Sequence, residues 1–116
     1  MTLEKLIRIG DVSMVCKVRL CKASEVAPGQ MLRIDATDAP PLAVFNVDGS
    51  FYATSNVCTH NIALLTDGYF EGETVECPIH GGCFNVKTGE ATSFPCEKPL
   101  RTYAVVRDGD ELFADV

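Results

Sequence analysis

Two short stretches hold both histidines of the chain, and each couples its histidine to a cysteine. The first is Cys58-Thr59-His60. The second, after sixteen intervening residues, is Cys77-Pro78-Ile79-His80-Gly81-Gly82-Cys83-Phe84. A cysteine and a histidine two or three residues apart at a loop tip project to one side of the backbone, so two such loops brought together present two thiols and two imidazoles. One chemistry open to that set is a single zinc ion in a tetrahedron of two thiolates and two imidazoles. The other is a cluster of two irons bridged by two sulfides, with the cysteine pair on one iron and the histidine pair on the other. Ligand type does not separate the two. Gly81 and Gly82 allow close backbone approach and N–H donation to sulfur, which suits the cluster, although zinc-binding loops also tolerate glycine.

The elements that must position these loops are strands. Leu42 to Val47 and Ser50 to Thr54 are apolar runs joined by Asp48-Gly49, the strongest hairpin signal in the chain, and they deliver the backbone to Cys58. Val15 to Leu20 alternates apolar and basic residues as a half-buried strand does, with Cys16 and Cys21 on opposite faces. Ala23 to Val26 makes one helical turn stopped by Pro28-Gly29, and Met31 to Ile34 is a strand. Asp67-Gly68 and Glu71-Gly72 punctuate short segments, and Thr74 to Cys77 runs into the second loop. Phe84 to Val86 leaves that loop, and Lys87-Thr88-Gly89-Glu90 turns. Thr102 to Arg107 pairs with Glu111 to Ala114 across Asp108-Gly109-Asp110. Leu3, Leu6 and Ile7 briefly match helical spacing, but residues 1–14 are read as an N-terminal extension. Short strands at regular turn spacing predict an all-β sandwich or small barrel.

Composition bounds the rest. A chain of 116 residues, 47% hydrophobic and 22% charged, predicts a single domain over residues 1–116 with a sizeable core. No apolar run reaches membrane-spanning length and no secretory signal is evident, so a cytoplasmic protein is expected. Sixteen acids against ten bases give a net charge of −6 with no basic run, which argues against nucleic acid as a partner. Six cysteines minus the two in ligand position leave Cys16, Cys21, Cys83 and Cys96, expected as free, inert thiols in a reducing compartment. Repeats and low-complexity segments are absent from the sequence.

The two loops and their gap resemble the cluster-binding loops of the Rieske family. The resemblance extends to Ala43-Val44-Phe45-Asn46-Val47-Asp48-Gly49, Thr66-Asp67-Gly68-Tyr69-Phe70-Glu71-Gly72 and Val86-Lys87-Thr88-Gly89, and covers roughly residues 15–116. The similarity is to the small Rieske ferredoxins of bacterial aromatic-ring-hydroxylating dioxygenase systems. It implies a Rieske-type antiparallel β-sandwich with a small cluster-binding subdomain of two loops, about residues 56–85. It also implies one 2Fe-2S cluster per chain held by Cys58, His60, Cys77 and His80. The implied role is a monomeric one-electron carrier in aromatic hydrocarbon catabolism, taking electrons from an NAD(P)H-dependent flavoprotein ferredoxin reductase and passing them to a terminal oxygenase. Such a chain is not an enzyme: a mononuclear iron site needs two further histidines, and none remains. The other readings kept open are a small Rieske-like subunit of a larger reductase, such as a nitrite reductase, and a structural zinc module.

The resemblance carries finer expectations. Rieske proteins of quinol-oxidising complexes carry an anchoring helix, which is not expected here. High-potential relatives join one extra cysteine from each loop in a disulfide. Ile79 and the stretch Asn61-Ile62-Ala63 hold those places, so that bridge cannot form. The same relatives have hydroxyl donors where this chain has Gly82 and Phe84, which predicts a potential near the low end of the Rieske range, about −150 mV. Each ligand imidazole would keep one ring nitrogen free, so electron and proton uptake are coupled. Ser93-Phe94-Pro95-Cys96 is expected as a third loop over the cluster, with Ile62, Ile79 and Pro95 forming an apolar rim.

Overall fold

In the computed structural model, residues 4–8, 14–37, 39–59, 63–79 and 81–116 are described, the side chains of 4–8 and 14–16 excepted. Twelve strands are present among them: β1 (Glu4–Arg8), β2 (Met14–Lys22), β3 (Met31–Ile34), β4 (Leu42–Val47), β5 (Ser50–Ser55), β6 (Tyr69–Glu71), β7 (Thr74–Glu76), β8 (Cys83–Asn85), β9 (Ala91–Ser93), β10 (Thr102–Tyr103), β11 (Val105–Asp108) and β12 (Glu111–Ala114). Two short 3₁₀ turns, Ala23–Glu25 and Leu65–Asp67, are the only helical elements among the described residues. The strands form three four-stranded antiparallel sheets, ordered β1-β2-β12-β11, β10-β5-β4-β3 and β6-β7-β8-β9. The all-β, antiparallel expectation is met.

β4 explains the stacking, because every one of its residues is buried. Leu42 and Val44 point toward the first sheet, against Leu20, Cys21 and Leu112. Ala43, Phe45 and Val47 point the other way, into a second core with Leu65, Val75, Phe84 and Val86. A strand covered on both faces needs a continuous apolar run, which Leu42 to Phe45 supplies. Asn46 is the polar exception, and it is satisfied: its Nδ2 donates to the Val26 carbonyl at 2.7 Å and its Oδ1 accepts from the Gly49 N–H at 2.7 Å. The β4–β5 turn has positive φ at both Asp48 (50°) and Gly49 (93°), the left-handed pair a two-residue hairpin turn requires. Phe45 also meets Phe70 of β6 with ring centroids 5.0 Å apart, which joins the second and third sheets.

Three expectations change in detail. Glu4–Arg8 pairs with β2 as a strand, so the brief helical spacing at Leu6 and Ile7 does not give a helix. In β2, Lys17 is buried, although simple alternation puts it on the solvent face with Arg19. Its Nζ pairs with Asp115 Oδ2 at 3.2 Å, and a buried ammonium needs such a partner. A register shift against Leu112 and Phe113 leaves Leu20 unpaired, so Leu20 and Cys21 are both buried in succession. The last hairpin splits at Ala104: β10 joins β5 in the second sheet, and β11 pairs with β12 in the first. Among the described residues no helix is long and apolar enough to cross a membrane.

Candidate metal centre

The first ligand loop is a hairpin closed at its base. A bridge pairs Val57 with Leu64, and the Cys58 N–H donates to the Ala63 carbonyl at 2.9 Å. Below it sits Asn56, fully buried. Its Nδ2 donates to Thr66 Oγ1 at 2.9 Å, and its Oδ1 accepts from the Thr66 N–H at 3.0 Å. Its backbone adds two bonds, N–H to the Pro41 carbonyl and carbonyl from the Leu65 N–H. One asparagine therefore fastens both ends of the loop to the end of β5.

The second loop turns back on itself between β7 and β8. The Cys77 N–H donates to the Gly82 carbonyl at 2.8 Å, and Gly81 takes a φ of 71°, which favours glycine. Gly68 lets the first segment lie against this loop, since a Cβ there would overlap the Glu76 carbonyl oxygen and stand 3.1 Å from Pro78 Cδ. The third loop, after β9, is the proline segment. Thr59 Oγ1 donates to the Lys98 carbonyl at 2.8 Å, tying the first loop to the third. Phe94–Pro95 is a cis peptide.

The structure brings Cys58 and Cys77 together. Both are buried in the same apolar cluster. Burial pushes the Cys77 thiol up from its ordinary range. The Ile79 N–H donating to its sulfur acts the other way, and contact with Cys58 adds to the rise. Cys96 lies beside Cys58, with Sγ to Sγ 3.8 Å. Its pKa is pushed up to about 12, first by burial and then by Cys58. Cys83 is half-buried, with Sγ 3.5 Å from the Gly81 carbonyl. His60 and His80, the other two predicted ligands, and Asn61 and Ile62 lie outside the described residues; among the described residues no group of three His, Cys, Asp or Glu side chains is arranged to hold a metal ion. Of the predicted rim, Ile79 is 38% exposed and Pro95 half-buried, while the neighbouring Phe94 is 82% exposed.

The residues present fit an iron–sulfur group. Two thiols converge in an apolar enclosure, one already receiving a backbone N–H, and glycines line the approach. Phe84 lacks a hydroxyl because it is a fully buried core residue. Gly82 lacks a side chain because a Cβ would overlap Cys96 Sγ.

A family model described as Rieske [2Fe-2S] domain matches residues 16–104. The chain belongs to the Rieske family. Its cofactor is a Rieske-type 2Fe-2S cluster. Among curated relatives, it is 46% identical over 94 residues to Ferredoxin CarAc of Metapseudomonas resinovorans, covering 80% of this chain and 88% of that Rieske protein. It is 40% identical over 109 residues to the ferredoxin component of the p-cumate 2,3-dioxygenase system of Pseudomonas putida, covering 93% and 92%. Among solved structures, it matches a chain of the complex of reduced oxygenase and oxidised ferredoxin in carbazole 1,9a-dioxygenase. That match has a TM-score of 0.81 and 42% identity over 85% of this chain and 92% of the other. These relatives are electron-transfer components, so the Rieske ferredoxin resemblance read from the loops holds.

Sequence reading gave no positioning role to Asn56, Thr59 or Gly68, and read Cys96 of the expected third loop as an inert thiol. Asn56, Thr59, Gly68 and Cys96 act across 10 to 39 residues of sequence or against backbone, where no local spacing signals them.

Proposed function

We propose that Cys58, His60, Cys77 and His80 hold the cluster, and that the chain, a single domain over residues 1–116, is a monomeric one-electron carrier. It takes electrons from an NAD(P)H-dependent flavoprotein reductase and passes them to a terminal ring-hydroxylating oxygenase. The observation that carries the ligand set is the burial of Cys58 and Cys77 in one apolar cluster at the ends of two separately fastened loops. When bound, the cluster supplies reversible one-electron storage. The chain's own residues keep the cysteines dry, hold the loops through Asn56 and Thr59, and aim the Ile79 N–H at the Cys77 sulfur. His60 and His80 would bind through one ring nitrogen and keep the other for solvent or a partner.

The named relatives support the choice of partners, one of them being a ferredoxin solved in complex with its oxygenase. Ile79 of the second ligand loop and Phe94 of the third are exposed apolar side chains that a partner would cover, a small contact that suits brief association. The reading places the carrier in the cytoplasm, where NAD(P)H is available and free thiols persist. The test is stopped-flow transfer from the dithionite-reduced protein to an oxidised ring-hydroxylating oxygenase. One electron delivered per chain supports the reading. A reduced protein that transfers nothing to any such oxygenase, yet co-purifies with a large flavoprotein, would move it to a reductase subunit.

A further inference from the structure

We propose that the Cys96 thiol donates a hydrogen bond to the Cys58 sulfur, making Cys96 a positioning residue that raises the potential of the electron-transfer site. The inference rests on the reading that Cys58 is a cluster ligand. Three features of the structure fix the contact. Cys58 and Cys96 Sγ are 3.8 Å apart, within reach of a sulfur–sulfur hydrogen bond, and both residues are 4% exposed. The Cys96 sulfur also lies against Gly82, where a Cβ would overlap it and would stand 3.1 Å from Cys96 Cβ and N. The sulfur is thus in close contact with both Gly82 and Cys58. The backbone is held as well, by Cys96 N–H to the Ser93 carbonyl at 3.2 Å and by Thr59 Oγ1 to the Lys98 carbonyl at 2.8 Å, so the two loops keep their separation.

Chemistry sets the direction of the bond. A metal-bound cysteine is a thiolate and can only accept. Cys96 is no proposed ligand; it shares an apolar core with Phe84, Val86 and Leu100, and a thiol there is the one group of the pair with a proton to donate. Cys96 is therefore the donor. A donor at a ligand sulfur would offset the negative charge that reduction adds to the site, which favours the reduced state. A thiol is a weak donor, so the effect is smaller than a hydroxyl would give.

The test is an EPR-monitored redox titration of the holoprotein beside Cys96→Ala and Cys96→Ser, with infrared spectroscopy of the S–H stretch. The expected midpoint falls in Cys96→Ala and stands at or above wild type in Cys96→Ser, whose hydroxyl is the stronger donor. In wild type, one S–H band lies at lowered frequency and moves further down on reduction. An unchanged midpoint in Cys96→Ala, an equal fall in both variants, or no S–H band that responds to reduction would each overturn the proposal. Should neither variant assemble, the wild-type infrared response decides. Cys58→Ser separates the two layers: retention of an unaltered Rieske signal refutes the ligand reading, whereas its loss beside an unshifted Cys96→Ala refutes only the donor.

Discussion

Replacing Asn56 by alanine is expected to loosen the first ligand loop more than any substitution on the surface. The side chain makes two hydrogen bonds, Nδ2 to Thr66 Oγ1 at 2.9 Å and Oδ1 from the Thr66 N–H at 3.0 Å, from a site with no solvent access. Each contributes about 1 kcal/mol net, and the orphaned Thr66 N–H adds a further fraction because Thr66 is only half-buried and water reaches it in part. The total is about 2 to 3 kcal/mol, which for a domain of this size lowers the thermal midpoint by roughly 8 to 15 °C. Melting followed by loss of the visible cluster bands, together with circular dichroism, reads the shift. Cluster bands should disappear with or before the sheet signal, since the loop base opens first. Thr66→Val removes the shared acceptor, so the double variant should fall well short of the sum of the singles. A midpoint lowered by less than roughly 2 °C would refute the assignment of Asn56 as the fastening of the loop.

Two further outcomes follow from the same contacts. Gly82→Ala places a Cβ on Cys96 Sγ and should destabilise the protein by about 1 to 3 kcal/mol through overpacking. Adding Cys96→Ala should recover part of that, read in the same melts, with the 3.1 Å contacts to Cys96 Cβ and N remaining. Asp110 accepts from Ser24 N–H at 3.0 Å and Ser24 Oγ at 2.7 Å, which holds its carboxyl below the ordinary carboxylate range. Because the folded pKa is depressed, this stabilisation is present above the unfolded pKa and is lost as pH falls through the folded one. Asp110→Asn should be less stable than wild type at neutral pH, with the difference closing in acid; a constant difference across an acid titration would contradict it.

The sequence made the fold and half of the candidate site legible for identifiable reasons. β4 reads directly because a strand buried on both faces is an unbroken apolar run, and Asp48-Gly49 marks its turn by backbone chemistry alone. Cys58 and Cys77 stand out by spacing, and both are buried in one cluster. What escaped depends on contacts distant in sequence. Lys17 is buried because Asp115 waits for it, and Leu20 leaves the alternation through a register shift that only the β12 partner reveals. Cys96 reads as an inert thiol until the third loop folds over Gly82 and sets it beside Cys58. The split at Ala104 reflects two sheets competing for one strand, which a one-dimensional pattern does not contain.

The most direct test of the ligand set and its tuning is an EPR-monitored redox titration with metal analysis on the purified protein, beside His80→Ala and Cys77→Ser. The account predicts two irons per chain and a Rieske-type signal that appears on reduction near the low end of the family's range, about −150 mV, and is lost in both variants. A signal at clearly positive potential would contradict the tuning by Gly82 and Phe84. A colourless protein with stoichiometric zinc would contradict the electron-carrier reading itself.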